Sequence, residues 1–215
     1  MNLEKPFLYF VTPDISGNLK KWIETIQEVV LGGATLLQVR DKTSSKREIL
    51  EASKEIHLFL RQMHVPLLIN DHLDIAAEVG AEGVHLGQSD ATPCQARALL
   101  GKEALIGLSI EHLSQMSGWT EADYLAASPL FPTNSKSGFQ RHFGFEGLQA
   151  LREKTSLPLV AIGGIRAQHV PQILRCGVQG IAVISALSEA ACPRSCARNF
   201  VAQFESCHQP APSKG

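Results

Sequence analysis

Three polar side chains occupy alternate positions where an apolar run ends. Gln38, Arg40 and Lys42 are separated by Val39 and Asp41. Because successive side chains of a β-strand point to opposite faces, a strand here would bring the amide and both cations to one side. Such a group would form a local anion-binding site. The alternative is an exposed strand end whose charges are solvated, with Asp41 as a neighbouring partner.

Two aspartates follow two later apolar runs and suggest a metal site. Asp71 comes after the first of these runs and Asp90 after the second. Mg²⁺ prefers oxygen ligands and commonly takes one or two protein carboxylates, while water and substrate phosphate complete its shell. We therefore predict that Asp71 and Asp90 bind Mg²⁺. Helix capping is the alternative, since Asp71 could cap a helix beginning at His72 and Asp90 one that follows Pro93.

A long segment without apolar periodicity spans residues 131–143 and carries further polar groups. Long loops of this kind often bind ligands. Thr133, Ser135 and Lys136 lie in it, and Ser109 ends an earlier apolar run. Lys136 would add a third cation to the group around Arg40, although a lysine in a polar loop is more often simply solvated.

Small residues end the last two apolar runs. Gly163 and Gly164 follow one run, and Ser185 follows the other. Glycines let backbone N–H groups approach an anion, and a helix N-terminus favours negative charge. In α/β barrels the loops after the seventh and eighth strands commonly bind phosphate in this way. We predict a phosphate site at these three residues, although paired glycines also occur in many ordinary turns.

The histidines give no sign of covalent catalysis. His85 points to the predicted interior, where a hydrogen-bonded core histidine and a catalyst are equally good interpretations. No Ser/His/Asp order and no nucleophilic cysteine context appears in the chain. Other histidines fall in predicted helices or loops: His57, His64, His112, His142 and His169.

These residues need a scaffold that brings many strand ends together, and the pattern of the chain predicts one. Short β-branched apolar runs alternate with amphipathic runs of helical period, which is typical of βα units around a parallel sheet. Eight units without a linker favour a single (β/α)₈ TIM barrel of the α/β class, with a doubly wound open sheet as the alternative. The predicted strands are Phe7–Thr12, Thr35–Arg40, Pro66–Asn70, Gly83–Leu86, Ala104–Ile110, Asp123–Ala127, Pro158–Ile162 and Gly180–Ile184.

Two helices are especially clear between these strands. Residues 19–31 and 46–63 each place apolar side chains on one helical face. We expect one catalytic domain over residues 1–207 and a flexible tail over residues 208–215, which is rich in proline.

The composition excludes several classes of function. With 20 basic and 21 acidic residues among 215, the formal charge is −1, so no overall field attracts nucleic acid or a membrane. No apolar run reaches the roughly 20 residues of a membrane span, and residues 1–5 do not resemble an export signal. Five cysteines without framework spacing favour reduced thiols, and Cys192 and Cys196 lack the second pair of a zinc site. We expect a cytoplasmic protein; a homo-oligomer is compatible with the sequence.

Five segments in order resemble the signatures of the thiamine-phosphate synthase family. They span nearly the whole predicted barrel, and together they are specific where each alone would be weak. The resemblance implies a TIM-barrel transferase that joins a pyrimidine pyrophosphate to a thiazole phosphate and releases pyrophosphate. The segments are Leu37-Gln38-Val39-Arg40-Asp41-Lys42, Leu68-Ile69-Asn70-Asp71, Val84-His85-Leu86-Gly87-Gln88-Ser89-Asp90, Pro129-Leu130-Phe131-Pro132-Thr133-Asn134-Ser135-Lys136 and Ala161-Ile162-Gly163-Gly164-Ile165.

The resemblance also implies roles for the pyrimidine substrate. Gln38 and Asn70 would contact the hydroxymethylpyrimidine ring. Its pyrophosphate would be bound by Arg40, Lys42, Asn70 and Lys136. Catalysis would consist of stabilising the departing pyrophosphate, so no protein base is required for bond formation.

The remaining implied roles concern the metal, the reacting carbon and the thiazole. Asp71 and Asp90 would hold Mg²⁺, and Ser109 would lie beside the pyrimidine or its developing cation. Arg40, Lys42, Ser109 and Lys136 are thus the expected catalytic residues. The residues implied for the thiazole phosphate substrate are Thr133, Ser135, Gly164, Ile184 and Ser185.

Two positions depart from the family pattern. The family usually has glycine where Ser128 stands and threonine where Ser135 stands. Ser135 retains a hydroxyl, whereas Ser128 would narrow the thiazole pocket. Two other functions compete with the synthase: a related thiazole tautomerase, and a barrel that binds a phosphate ligand without catalysis. Neither needs the two aspartates and the cations, so their presence favours the synthase.

Overall fold

A computed structural model shows eight parallel strands that pair in sequence order and close into a barrel. It describes residue 3 and residues 5–15, 17–116, 120–133 and 142–206. The (β/α)₈ prediction is therefore confirmed, and the open sheet is wrong because β8 pairs with β1. The strands are β1 (Phe7–Val11), β2 (Leu36–Val39), β3 (Leu67–Asn70), β4 (Gly83–Leu86), β5 (Leu105–Ile110), β6 (Tyr124–Ala127), β7 (Leu159–Ile162) and β8 (Gly180–Val183).

Helices surround the barrel and pack on its outer face. None of those described is both long and apolar enough to cross a membrane. The helices are α1 (Leu19–Leu31), α2 (Lys46–Gln62), α3 (Leu73–Val79), α4 (Pro93–Leu100), α5 (Gly144–Arg152), α6 (Val170–Arg175), α7 (Ser185–Ser188) and α8 (Pro193–Ser206).

One connection departs from the predicted repeat of strand and helix. Between β5 and β6, the part that the structure describes contains the 3₁₀ turn Leu113–Gln115 and no α-helix. The Gln115 side chain accepts hydrogen bonds from the backbone N–H groups of Glu111 and His112, at 2.7 and 3.2 Å. These local bonds stabilise a short turn directly after β5.

The two helices predicted most clearly form as expected. In α1 the buried face consists of Trp22, Ile26, Val29 and Val30. The helix α2 begins at a capping box, in which the Ser45 side chain accepts from the backbone of Glu48 and the Glu48 carboxylate accepts from Ser45. The amphipathic period therefore determines which face of each helix is buried. The capping residues determine where α2 begins.

The inside of the barrel is packed with side chains from the inward-facing strand positions. Phe7, Tyr9, Leu36, Leu68 and Tyr124 are among them. A second, larger apolar layer lies between the outer face of the sheet and the helices. Gly107 on β5 makes the interior packing possible, because a Cβ atom there would overlap the ring of Tyr124. Inside the described barrel, the buried polar side chains Gln38, His85 and Ser109 lie toward the carboxyl ends of the strands.

Asp41 joins the first two loops at that end of the barrel. Its buried carboxylate accepts hydrogen bonds from the backbone N–H groups of Ile15, Thr43 and Ser44, each at 2.8 Å. Burial alone would raise the pKa of Asp41, but these hydrogen bonds outweigh it and lower the pKa to about 2. Asp41 thus stabilises the loops around Arg40 and Lys42 through its hydrogen bonds. It is buried, and therefore it is not a solvated partner of those cations.

Replacing Asp41 by asparagine is expected to lower the free energy of unfolding by about 1–3 kcal/mol at pH 7, because charge-assisted hydrogen bonds are lost. A carboxyl whose folded pKa is depressed stabilises the protein above its unfolded pKa, near 4, and this contribution disappears as pH falls toward about 2. The difference between wild type and D41N in urea unfolding should therefore shrink across that range. The exposed control Asp74→Asn should change stability by less than about 1 kcal/mol. A D41N difference that is independent of pH would contradict this account.

Candidate active site

The carboxyl ends of the strands open into a cavity of about 920 Å³. This volume is sufficient for two small ligands. Every predicted site residue that the structure describes lines this cavity, whereas Ser135 and Lys136 lie outside the described residues. The predicted residues in its wall are Gln38, Arg40, Lys42, Asn70, Asp71, Asp90, Ser109, Thr133, Gly164, Ile184 and Ser185.

The group on β2 and its following loop faces the cavity, as strand alternation predicts. Gln38 is buried inside the barrel, whereas Val39 packs in the outer layer. The backbone at Arg40 is held by Thr12, whose hydroxyl lies 3.1 Å from the Arg40 nitrogen. The backbone N–H of Lys42 donates to Asp14 at 3.0 Å. Loop contacts from β1 therefore fix where both cations leave the sheet.

Asp71 and Asp90 meet at the ends of β3 and β4, and Lys42 contacts Asp71. The Lys42 ammonium donates to the Asp71 carboxylate, whose side chain is 15% exposed. Burial is the main influence on the pKa of Asp71 and raises it; Lys42 lowers it and the adjacent Asp90 carboxyl raises it. The net pKa of Asp71 lies above its ordinary value. Two carboxyl groups this close favour a bound cation.

Helix capping, the alternative interpretation of the two aspartates, is wrong. His72 occupies the position before α3, and Thr92 caps α4 through a capping box with Gln95. Asp90 instead accepts the backbone N–H of Gly87 at 2.7 Å. Asp71 has a positive φ of 61°, a conformation that costs free energy for a residue with a side chain. Strain of this kind occurs often at functional sites.

The aspartate pair fits Mg²⁺ by its chemistry. Among the described residues, no group of three or more acidic, histidine or cysteine side chains is placed to hold a metal ion. A cation at Asp71 and Asp90 would therefore have two protein carboxylates and would need water or ligand oxygens for its remaining positions. This is the ligand set that Mg²⁺ commonly takes beside a phosphate.

The turn after β7 has positive φ angles, which glycine adopts more readily than other residues. Gly163 and Gly164 have φ values of 104° and 64°. A Cβ atom on Gly164 would lie 2.6 Å from the carbonyl oxygen of Pro132, so a larger residue would displace the loop after β6. That loop is joined to the turn by the N–H of Phe131, which donates to the Gly163 carbonyl at 3.1 Å. Ser185, on β8's side of the cavity, begins α7.

Several residues of the cavity wall were not predicted as site residues. Arg166, directly after the Gly163–Ile165 turn, adds an exposed cation on the β7 side. Ser128, noted only as a departure from the family pattern, is buried and contributes to the wall near Pro129. Arg166 could have been predicted from the sequence, because it directly follows the predicted phosphate-binding turn.

A chain of buried polar side chains also crosses the barrel interior. Gln38 donates to the Tyr9 hydroxyl, and the hydroxyls of Tyr9 and Tyr124 lie 3.0 Å apart. The two ring nitrogens of His85 lie 2.8 Å from the Tyr124 hydroxyl and 2.9 Å from the Ser109 hydroxyl. His85 is thus both a hydrogen-bonded core residue and part of the cavity wall. Strand alternation gave the sequence signal for these residues, since it points Tyr9 and Tyr124 inward together with Gln38 and His85.

Comparisons with known proteins decide the family. The family model described as thiamine monophosphate synthase matches residues 8–187. The chain belongs to this family. Two relatives, the thiamine-phosphate synthases of Azorhizobium caulinodans and Vibrio campbellii, are 42% and 41% identical over 185 and 193 residues. These alignments cover 85% and 87% of this chain and 87% and 93% of the relatives.

A solved structure gives the same relationship. The thiamine phosphate pyrophosphorylase from Pyrococcus furiosus superposes with a TM-score of 0.84 at 33% sequence identity. The superposition covers 96% of this chain and 99% of that one. The thiamine monophosphate synthase family therefore accounts for nearly the full length of the barrel.

Replacing Asp90 by asparagine is expected to stabilise the metal-free protein at pH 7 by on the order of 1 kcal/mol. An aspartate with a raised folded pKa makes the protein less stable as pH rises above the usual carboxyl range, near 4. Removing the Asp90 charge reduces this loss of stability, so D90N should be more stable than wild type at pH 7. The difference in free energy of unfolding should vanish at pH 4 and below. Urea unfolding in the presence of EDTA measures the stability difference between wild type and D90N. The exposed Glu103→Gln is the control variant. A D90N variant that is less stable than wild type at pH 7 would contradict the argument.

Proposed function

We propose that the chain joins 4-amino-2-methyl-5-(diphosphooxymethyl)pyrimidine to 4-methyl-5-(2-phosphooxyethyl)thiazole, giving thiamine phosphate and pyrophosphate; with the carboxylated form of the thiazole, CO₂ is released as well. The observation that carries this proposal is a single cavity with two separate regions suited to anions. One comprises Arg40, Lys42 and the aspartate pair at β2–β4; the other comprises Gly164 and Ser185 at β7–β8. In a closed ring of eight strands, β3 and β7 lie opposite each other. Two phosphorylated substrates would thus face one another across the mouth.

The region at β2–β4 suits the pyrimidine pyrophosphate. Arg40 and Lys42 would bind the departing pyrophosphate, and Asn70 would contact both this group and the ring. Asp71 and Asp90 would hold Mg²⁺, which supplies positive charge beside the leaving oxygens when it is bound. Lys136 is proposed as a third cation on the same anion.

The chemistry requires charge stabilisation and alignment. The CH₂–O bond of the pyrimidine breaks, and its electron pair leaves with pyrophosphate. The lone pair of the thiazole nitrogen then forms the new C–N bond at the resulting cationic carbon. No proton is transferred in either event, which agrees with a cavity that offers cations and hydroxyls. Ser109 is proposed to lie beside the cationic carbon.

The region at β7–β8 suits the thiazole phosphate. The positive φ values of the glycine turn present backbone to the cavity, and Ile184 and Ser185 follow from β8. Thr133 and Ser135 are proposed to contact the thiazole ring. Ser128, buried in the wall, would restrict the space beside that ring.

The direct test is formation of thiamine phosphate and pyrophosphate from the two substrates, with Mg²⁺ and with EDTA. We expect product only with Mg²⁺, and a loss of roughly 10²–10³-fold in kcat for Asp90→Ala, since a charge-stabilising group is removed. The exposed control Asp74→Ala should retain wild-type kcat. A folded wild type that forms no product would refute the synthase. Solvent-proton exchange into a thiazole carboxylate phosphate would then indicate the tautomerase, and ligand binding without reaction would indicate a non-catalytic barrel.

Replacing Arg166 by glutamine should raise the KM for thiazole phosphate about 3- to 10-fold, because one cation near the glycine turn is lost. The KM for the pyrimidine substrate should change less than about twofold, since Arg166 lies on the β7 side. Steady-state kinetics with each substrate varied in turn measure both values. Arg175→Gln, at an exposed arginine that ends α6 outside the cavity wall, is the matched control. An equal rise in both KM values would contradict the placement of Arg166.

We also propose one catalytic domain over residues 1–207; the predicted tail, residues 208–215, lies outside the described residues. The positions of β1, which begins at Phe7, and α8, which ends at Ser206, support this division. Cytoplasmic residence is proposed because the four cysteines of the described chain carry free thiols, as a reducing compartment would maintain them. The proposed partners are the two small substrates, without nucleic acid or membrane, and a homo-oligomer is compatible with this proposal.

A further inference from the structure

The hydrogen-bond chain inside the barrel joins two residues of the cavity wall that come from different strands. Gln38 on β2 stands at one end and Ser109 on β5 at the other. Tyr9, Tyr124 and His85 connect them, and all five side chains are buried. The three connecting residues have no part in the chemistry described above. Their hydrogen bonds nevertheless end on the polar groups that the cavity offers to a ligand.

One continuous direction along this hydrogen-bond chain satisfies the donor and acceptor chemistry of all its members. The Gln38 amide nitrogen can only donate, so the Tyr9 hydroxyl accepts from it; in the continuous direction Tyr9 then donates to the Tyr124 hydroxyl. In the same direction Tyr124 donates to Nδ1 of His85, 2.8 Å from its hydroxyl. A neutral His85 in this arrangement has its proton on Nε2, which donates to the Ser109 hydroxyl, 2.9 Å away.

Packing holds this chain in one arrangement. The rings of His85 and Tyr124 are stacked at 5.6 Å with 28° between their planes, and Tyr9 meets Tyr124 edge to face at 6.2 Å. Gly107 leaves the space for them, since a Cβ atom there would lie 2.5 Å from Nδ1 of His85. Burial raises the pKa of both tyrosines, so both hydroxyls keep their hydrogens at neutral pH.

We propose that Tyr9, Tyr124 and His85 are positioning residues that fix the hydrogen-bond polarity of the substrate site. With its nitrogen bound to Tyr9, Gln38 presents its amide oxygen as an acceptor. With its oxygen accepting from His85, Ser109 presents its hydrogen as a donor. An aminopyrimidine carries both complementary groups, an N–H donor on its amino group and acceptors in its ring. This inference rests on the proposed function, because the pyrimidine is the ligand that would use both groups.

Without this chain of hydrogen bonds, the Gln38 amide and the Ser109 hydroxyl would no longer favour one orientation. The Gln38 amide could rotate by a half turn and present a donor in place of an acceptor, and the Ser109 hydroxyl could turn away from the cavity. The ligand would then have to select one arrangement from several, which weakens binding of the pyrimidine and leaves the thiazole side unchanged.

The kinetic test uses substitutions that remove one oxygen and keep the ring. For Tyr124→Phe and Tyr9→Phe, the KM for the pyrimidine pyrophosphate should rise about 3- to 10-fold, the loss expected for one or two internal hydrogen bonds. The KM for thiazole phosphate should stay within about twofold. His57→Gln is the matched control, because His57 is a buried histidine bonded to Glu82 outside the cavity wall. It should leave both KM values unchanged. Equal changes in the two KM values, or none in either variant, would overturn the proposal.

A second measurement determines the direction of the hydrogen bonds in the folded wild-type protein, without any variant. The ¹⁵N–¹H NMR spectrum of the His85 ring should show the neutral tautomer with its proton on Nε2. A proton on Nδ1 would reverse the direction of the chain and overturn the proposal. If wild type formed no thiamine phosphate, the proposed function would fail. Calorimetric binding of the pyrimidine pyrophosphate to wild type and Y124F would then test the chain, with an unchanged Kd refuting it.

Discussion

Closure of the eight-stranded parallel sheet is the constraint on which the site depends. Parallel strands in sequence order all end at the same rim, so residues far apart in the chain meet around one mouth. Gln38, Asp71 and Ser185 lie on different units and share a cavity only because β8 pairs with β1. An open sheet would separate the β2–β4 residues from those after β7 and β8. The two proposed phosphate regions face each other for this reason.

Stability and function compete at the rim. The barrel brings the carboxyls of Asp71 and Asp90 together in a partly buried place, and the backbone of Asp71 has a positive φ. Both features cost free energy in the absence of a cation, and Lys42 compensates only in part. Asp41, one residue from Arg40, acts in the other direction: its buried hydrogen bonds stabilise the loops that carry the cations. The neighbouring aspartates thus differ in role because their surroundings differ.

Most of the scaffold follows from local patterns in the sequence. All eight strands begin and end within one residue of their predicted ends, because apolar runs and the residues between them are local signals. Alternation along β2 correctly places Gln38 toward the cavity. The aspartates could not be assigned in this way, since capping and metal binding use the same residue type. The structure excludes capping, because His72 and Thr92 occupy the capping positions.

The interior chain shows where local patterns fail. Alternation indicates that Tyr9 and Tyr124 point inward, but β1 and β6 are not neighbours in the sheet. Their hydroxyls meet only across the closed barrel, at a distance that no local spacing encodes. His85 was ambiguous for the same reason, because its partners come from β5 and β6. The turn after β5 was likewise unexpected, since it depends on specific Gln115 hydrogen bonds.

A crystal structure of the protein with thiamine phosphate, pyrophosphate and Mg²⁺ tests the central claim most directly. The account predicts Mg²⁺ on Asp71 and Asp90, pyrophosphate against Arg40 and Lys42, and the phosphate of thiamine phosphate at the Gly163-Gly164 turn. Exchange of the two anion positions, or a metal bound elsewhere, would contradict it.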